Sequence, residues 1–230
     1  EEILINDGND GIPAAGETCG ISIPLINHGS QTASNFTATL STTSNQVTIV
    51  SPTVTYDSIT PGSTVYSDDF IITISPSAKQ YEDLELTLEI SDGSLSQWYS
   101  QIPLEVMGSL LTITSIGYFQ PGETTNLNIS LANSGMLTAS NVTGVLEYYG
   151  SQVEVNDANG SWGSLSPGES SSSTNGFNIS IGNDIINGTQ FHLVLSLEST
   201  EGYNSTEFYT ITIGHVSVED PLGPDQYGYY

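Results

Sequence analysis

Residues 6–17 read Asn-Asp-Gly-Asn-Asp-Gly-Ile-Pro-Ala-Ala-Gly-Glu, a run of acidic and amide side chains set around glycines and closed by a glutamate. Calcium loops place oxygen ligands at alternate positions of a tight turn, bend at a glycine, and end on a bidentate glutamate in the twelfth place. With Gly11 as the bend, Glu17 takes the twelfth place and Asp10 the fifth, while Asn6 and Gly8 hold the first and third. Asp7 and Asn9 lie one residue out of register, which a backbone bulge can correct. Asp7, Asn9, Asp10 and Glu17, completed by backbone carbonyls, are therefore candidate ligands for a weak Ca2+ site of the extracellular kind. The same residues also suit a plain Asx-rich turn in which Glu17 accepts backbone amides. Both readings stand at this level.

Other reactive side chains are sparse. Cys19 is the only cysteine and shares the inward parity of its strand, which predicts an inert, buried thiol. His28, His192 and His215 are scattered along the chain, with no partner to orient them as a base and no metal-ligand spacing. There is no arginine to clamp a carboxylate or phosphate. No catalytic residue is expected. Trp98, Trp162 and twelve tyrosines offer rings for stacking on sugars, which puts cell-surface glycans among the candidate partners.

The charge balance narrows the classes further. The 230 residues hold 26 acids against one base, Lys79, for a formal charge of −25. Charged residues are only 12% of the chain, against roughly 25% in ordinary domains, so the bases are missing rather than the acids in excess. Nucleic acid is an unsuitable partner, because binding it needs Lys and Arg to displace counterions. No apolar run approaches the roughly 20 residues of a membrane-spanning helix, and membrane insertion is not expected. The chain starts at Glu1 without a signal peptide, as a mature or excised piece of a longer protein would. Serine and threonine number 33 and 25, a texture that points to a secreted or cell-surface β protein.

The elements that position these residues come in two copies. GETCGISIPLINHGSQTASNFTATL at 16–40 aligns without gaps to GETTNLNISLANSGMLTASNVTGVL at 122–146, an offset of 106. SITPGS at 58–63 matches SLSPGE at 164–169 at the same offset. In the second copy SIGYFQ precedes the Pro-Gly-Glu, with no acid at all, so calcium is expected in the first domain only. The repeat predicts domains at 1–107 and 108–214, followed by an extended tail at 215–230.

Each copy alternates with period two. Cys19, Ile21, Ile23 and Leu25 share a parity; so do Leu127, Ile129 and Leu131, and Leu84, Leu86, Leu88 and Ile90. Short half-buried strands punctuated by NHG, SDG, NSG and two PG turns predict an all-β chain of two tandem Ig-like antiparallel β-sandwiches. The short joint at residues 106–109 leads to the expectation of a semi-rigid rod.

GIPxxGE, a strand, N-x-G, then TASN-[FV]-T and a later PG turn resemble bacterial extracellular Ig-like modules of the cell-adhesion-related type. Such modules also trail gingipain-like cysteine peptidases. The resemblance covers residues 1–214 and extends to GPDQYGYY at the end of the tail. It implies a non-catalytic structural or adhesive module, a spacer or a repeating subunit of a rod or filament. The alternatives it leaves open are an accessory region of a secreted peptidase and a glycan-binding module.

Seven Asn-x-Ser/Thr triplets begin at Asn35, Asn128, Asn141, Asn159, Asn178, Asn187 and Asn204, candidate glycosylation sites. Asn35 and Asn141 occupy one place in the repeat. In the tail, Tyr227, Tyr229 and Tyr230 are candidate interface rings. The expected partners are neighbouring modules or copies of the same chain.

Overall fold

The computed structural model describes residues 2–92, 97–115, 117–174 and 176–215, all as strands, turns and loops with no helix among them. The chain is all-β and sandwich-type, and by its internal contacts it divides into two compact units. The first comprises Glu1–Leu110 with Gly135–Leu137 and Glu201–Tyr203; the second comprises Leu111–Ser134, Thr138–Thr200 and Asn204–Tyr230. Tyr227, Tyr229 and Tyr230 lie outside the described residues.

Among the described residues the first unit has the strands β1 (Leu4–Asn6), β2 (Thr18–Ser22), β3 (Pro24–Ile26), β4 (Phe36–Thr42), β5 (Val47–Ser51), β6 (Thr53–Tyr56), β7 (Thr64–Tyr66), β8 (Phe70–Ile74), β9 (Leu84–Ser91) and β10 (Gln97–Leu104). They form sheets ordered β1-β2-β8-β5 and β10-β9-β4-β6, with a separate pair β3-β7. Alternation explains the packing: in β4, β8 and β9 every second side chain is buried and its neighbours are not. The inward sets of the two larger sheets meet in one cluster, with Ile21, Phe70 and Ile72 from one and Leu40, Leu86 and Leu88 from the other. Each such side chain contributes about 1.5–3 kcal/mol by leaving water.

Among the described residues the second unit has the strands β11 (Leu111–Ile113), β12 (Gly117–Phe119), β13 (Thr124–Leu127), β14 (Ser130–Asn133), β15 (Ala139–Glu147), β16 (Val153–Asp157), β17 (Asn159–Leu165), β18 (Ser170–Ser172), β19 (Phe177–Ile181), β20 (Thr189–Glu198) and β21 (Asn204–Ile213). Their sheets are ordered β12-β21-β20-β15-β17, β13-β19-β16 and β11-β14-β18. Among the described residues the paired strands of this unit run antiparallel except β12 on β21, which is parallel. Leu127, Ile129, Leu131, Phe177, Leu195 and Ile211 are buried in its core.

Positions 106 residues apart make the same bonds. The pair β3-β7 has the register Pro24↔Tyr66, Leu25↔Val65 and Ile26↔Thr64. The pair β14-β18 repeats it as Ser130↔Ser172, Leu131↔Ser171 and Ala132↔Ser170. Asn27 Nδ2 donates to the Ile59 carbonyl at 2.9 Å, and Asn133 Nδ2 to the Leu165 carbonyl at 2.9 Å. Asn35 and Asn141 both have positive φ, 61° and 49°. Left-handed backbone favours Asn among side-chain-bearing residues. The backbone therefore gives these two asparagines a reason to be there apart from any glycan.

Candidate functional site

The opening loop turns its acids onto its own backbone. Asp7 Oδ1 accepts the Asn9 N–H at 2.8 Å, and Asp7 Oδ2 accepts the Gly11 N–H at 3.0 Å. Asp10 Oδ1 accepts the Ile12 N–H at 3.0 Å, and Glu17 Oε2 accepts the Ala14 N–H at 3.0 Å. The Asn9 amide is the largest influence and holds the Asp7 carboxyl below its ordinary pKa; desolvation opposes it, and the Gly11 amide adds a smaller lowering. Gly8 and Gly11 sit at φ 79°, which lets the loop double back. Asn9 is exposed. Among the described residues no group of three or more His, Cys, Asp or Glu side chains is placed to hold a metal ion.

The Glu17 bond is a turn clamp that recurs where no acidic loop exists. Glu123 Oε2 accepts the Gln120 N–H at 2.8 Å, Glu169 Oε2 the Ser166 N–H at 2.9 Å, and Glu82 Oε2 the Lys79 N–H at 3.1 Å. In each turn the glutamate N–H also returns to the carbonyl three residues back. The geometry has its signal in the sequence as a glutamate closing a four-residue turn.

Cys19 is 2% exposed, and burial, with the nearby charges of Glu17 and Asp7, pushes its thiol up to about 11. A thiol so buried and so weakly acidic carries little thiolate at neutral pH. His28, His192 and His215 are exposed, and His192 Nδ1 meets Thr210 Oγ1 at 2.9 Å.

Six of the seven triplet asparagines, Asn35, Asn128, Asn141, Asn159, Asn187 and Asn204, are exposed. Asn178 is half-buried and bonded at both ends of its amide. Its Nδ2 donates to Asn126 Oδ1 at 2.7 Å, and its Oδ1 accepts from Asn156 Nδ2 at 2.8 Å. A glycan on Asn178 would replace one of the two Nδ2 hydrogens and leave one to donate.

The two tryptophans part company. Trp162 is 3% exposed and donates its indole N–H to the Ile129 carbonyl at 2.7 Å. Trp98 is 50% exposed on β10, an edge strand. It stands beside an apolar groove of about 450 Å³ that is also lined by Leu25, Ile26, Phe36, Ile59 and Ile90. Phe36 meets the indole edge-to-face at 6.1 Å between centroids, and Ile26 is 48% exposed at the groove. One wall is the turn 27–31, pinned by Asn27. Its Nδ2 donates to the carbonyls of Gln31 and Ile59, and its Oδ1 accepts the Gly29 N–H. The Asn27 amide is thus engaged with backbone groups, and Asn27, His28 and Gly29 line the groove beside its apolar residues. Pattern reading names Trp98 but not the groove, because Leu25, Phe36 and Trp98 come from separate strands.

No family model matches this chain, and no curated protein matches it. Among solved structures, a protein of unknown function from Porphyromonas gingivalis W83 aligns over 92% of this chain and 100% of its own, at 9% identity and a TM-score of 0.27. Red sea bream transglutaminase aligns over 94% of this chain and 31% of its own, at 11% identity and a TM-score of 0.40. Fold and site define the class as an all-β, sandwich-type protein.

Proposed function

We propose that the chain is a non-catalytic structural and adhesive module of a secreted or cell-surface protein. In this reading it is built from tandem Ig-like sandwiches and holds neighbouring modules, or copies of itself, in contact. The observation that carries the reading is the Trp98 groove. An apolar recess with a half-exposed indole, cut into a sandwich edge, is the form of an interaction anchor. The reactive side chains support it, since Cys19 is buried and protonated and the loop carboxylates clamp turns.

The test is attachment under flow. Beads carrying the chain should bind a protein-coated surface, and Trp98→Ser should reduce retention about tenfold, the factor that 1.4 kcal/mol of lost contact gives. Trp162→Phe, a core change, should leave retention unchanged. Equal retention by wild-type and Trp98→Ser beads would overturn the reading.

A further inference from the structure

In the second unit, β11 pairs antiparallel with β14, setting Leu111 opposite Asn133, Thr112 opposite Ala132 and Ile113 opposite Leu131. The strand β14 thus has β18 on one side and β11 on the other. Leu111 and Leu131 are both fully buried. The first unit holds the matching pair β3-β7 in the matching register, but among the described residues no strand pairs with β3 on its other side. Its own first strand is placed elsewhere: β1 pairs with β2, setting Leu4 opposite Ser22 and Asn6 opposite Gly20.

The sequence accounts for the difference. The residue 106 positions before Ile113 is Asp7, and a carboxylate cannot follow Ile113 into an apolar site. Asp7 instead caps Asn9 and Gly11, and the acidic loop carries the chain away. The groove beside β3 remains. Trp98 stands where the second unit has Ser205, since Trp98 pairs with Ile90 and Ser205 with Leu197, and these pair in turn with Ala38 and Gly144. A small side chain beside β11 and a large one beside the open groove fit the same explanation.

We infer that the groove beside β3 is a strand-acceptor site for a partner polypeptide. The occupant is an extended segment without acidic residues that carries apolar side chains two positions apart, as Leu111-Thr112-Ile113 does. It pairs antiparallel with Pro24–Ile26 and sets its apolar side chains between Leu25 and Trp98. Main-chain bonds supply the pairing and alternate side chains the selectivity. An acidic strand is disfavoured by the apolar lining and by the chain's own charge of −25. The inference deepens the adhesive reading and rests on it.

The full chain is titrated with a synthetic peptide of residues 109–115, following Trp98 fluorescence and the heat of binding. Saturable binding with a blue shift is expected, with at least tenfold weaker binding by Ile26→Lys, whose side chain is half-exposed and leaves the core intact. The same peptide with aspartate in place of isoleucine should bind at least tenfold more weakly, as should an N-methylated form that cannot pair. Equal binding of the N-methylated form would overturn strand pairing, and no binding up to millimolar peptide would overturn the site. Concentration-dependent self-association that Trp98→Ser removes, without peptide binding, would give the groove to a second copy and overturn the partner assignment. Attachment that survives when peptide binding fails would separate loss of this inference from loss of the adhesive reading.

Discussion

The hydroxyl of Tyr56 donates to the carbonyl of Ile23 at 2.9 Å, tying strand β6 to the residue between β2 and β3 across the core of the first unit. In the second unit Trp162 reaches the Ile129 carbonyl, 106 residues on, with its indole N–H at 2.7 Å. A phenol and an indole thus perform one task. Each accepting carbonyl also receives a backbone N–H, from Ser67 and Ser173 respectively, so deletion of the side-chain donor leaves neither carbonyl unpaired. Tyr56→Phe, which keeps the ring, should therefore cost only about 1 kcal/mol. Urea unfolding should show a lower midpoint with an unchanged slope. A loss several times larger would mean that the bond holds more of the core than one carbonyl.

The opening loop makes a pH prediction. The Asp7 carboxyl is held below its ordinary value of 3.8 by amides that it meets only in the folded chain. Its contribution is present above the unfolded value and lost as pH falls through the folded one. Asp7→Asn should lower stability at neutral pH, where the carboxylate's contribution is present, and so flatten the acid limb of the stability profile below about pH 4. A carboxylate oxygen that accepts an amide N–H keeps lone pairs for a cation. A calcium-dependent rise in melting temperature that Asp10→Ala removes would establish a metal site, and equal melting temperatures in calcium and in chelator would establish the plain turn.

Cys19 should resist alkylation. Burial and a thiol pushed up to about 11 leave little thiolate at pH 8. Iodoacetamide should label the folded chain orders of magnitude more slowly than the chain in denaturant. Rapid labelling of the native protein would show that β2 opens.

Asn35 and Asn141 carry a backbone prediction. Both hold positive φ, and at Asn141 the β15-β17 register is broken between Ala139 and Val142. Replacement by glycine should be nearly neutral, whereas valine should cost about 1–2 kcal/mol at either site. Thermal melts of the four variants decide it. Equal cost for glycine and valine would put the importance in the amide.

Period-two alternation was legible along the chain because a strand's inward and outward faces are written locally. Ile21, Leu86 and Phe177 needed no partner to declare their side. The glutamate turns were legible for the same reason, since Glu17 and Glu123 accept amides three residues back; the reach of Asn27 to Ile59 and of Asn133 to Leu165 was not, because it joins distant segments. The acidic loop was legible as a polar turn with two readings, and the amide partners of Asp7 and Glu17 describe the geometry of one of them. The choice of neighbouring strand was not legible. Whether β1 lies on β2 or beside β3 is settled by pairing across distant segments, and Asp7 matters there only because it falls opposite an apolar row. The sequence alone determined the strands, their faces and their turns, because those depend on near neighbours. Only the tertiary structure decided that, among the described residues, β3 pairs with β7 alone and Trp98 stands half-exposed, because a groove is made by strands far apart in the chain.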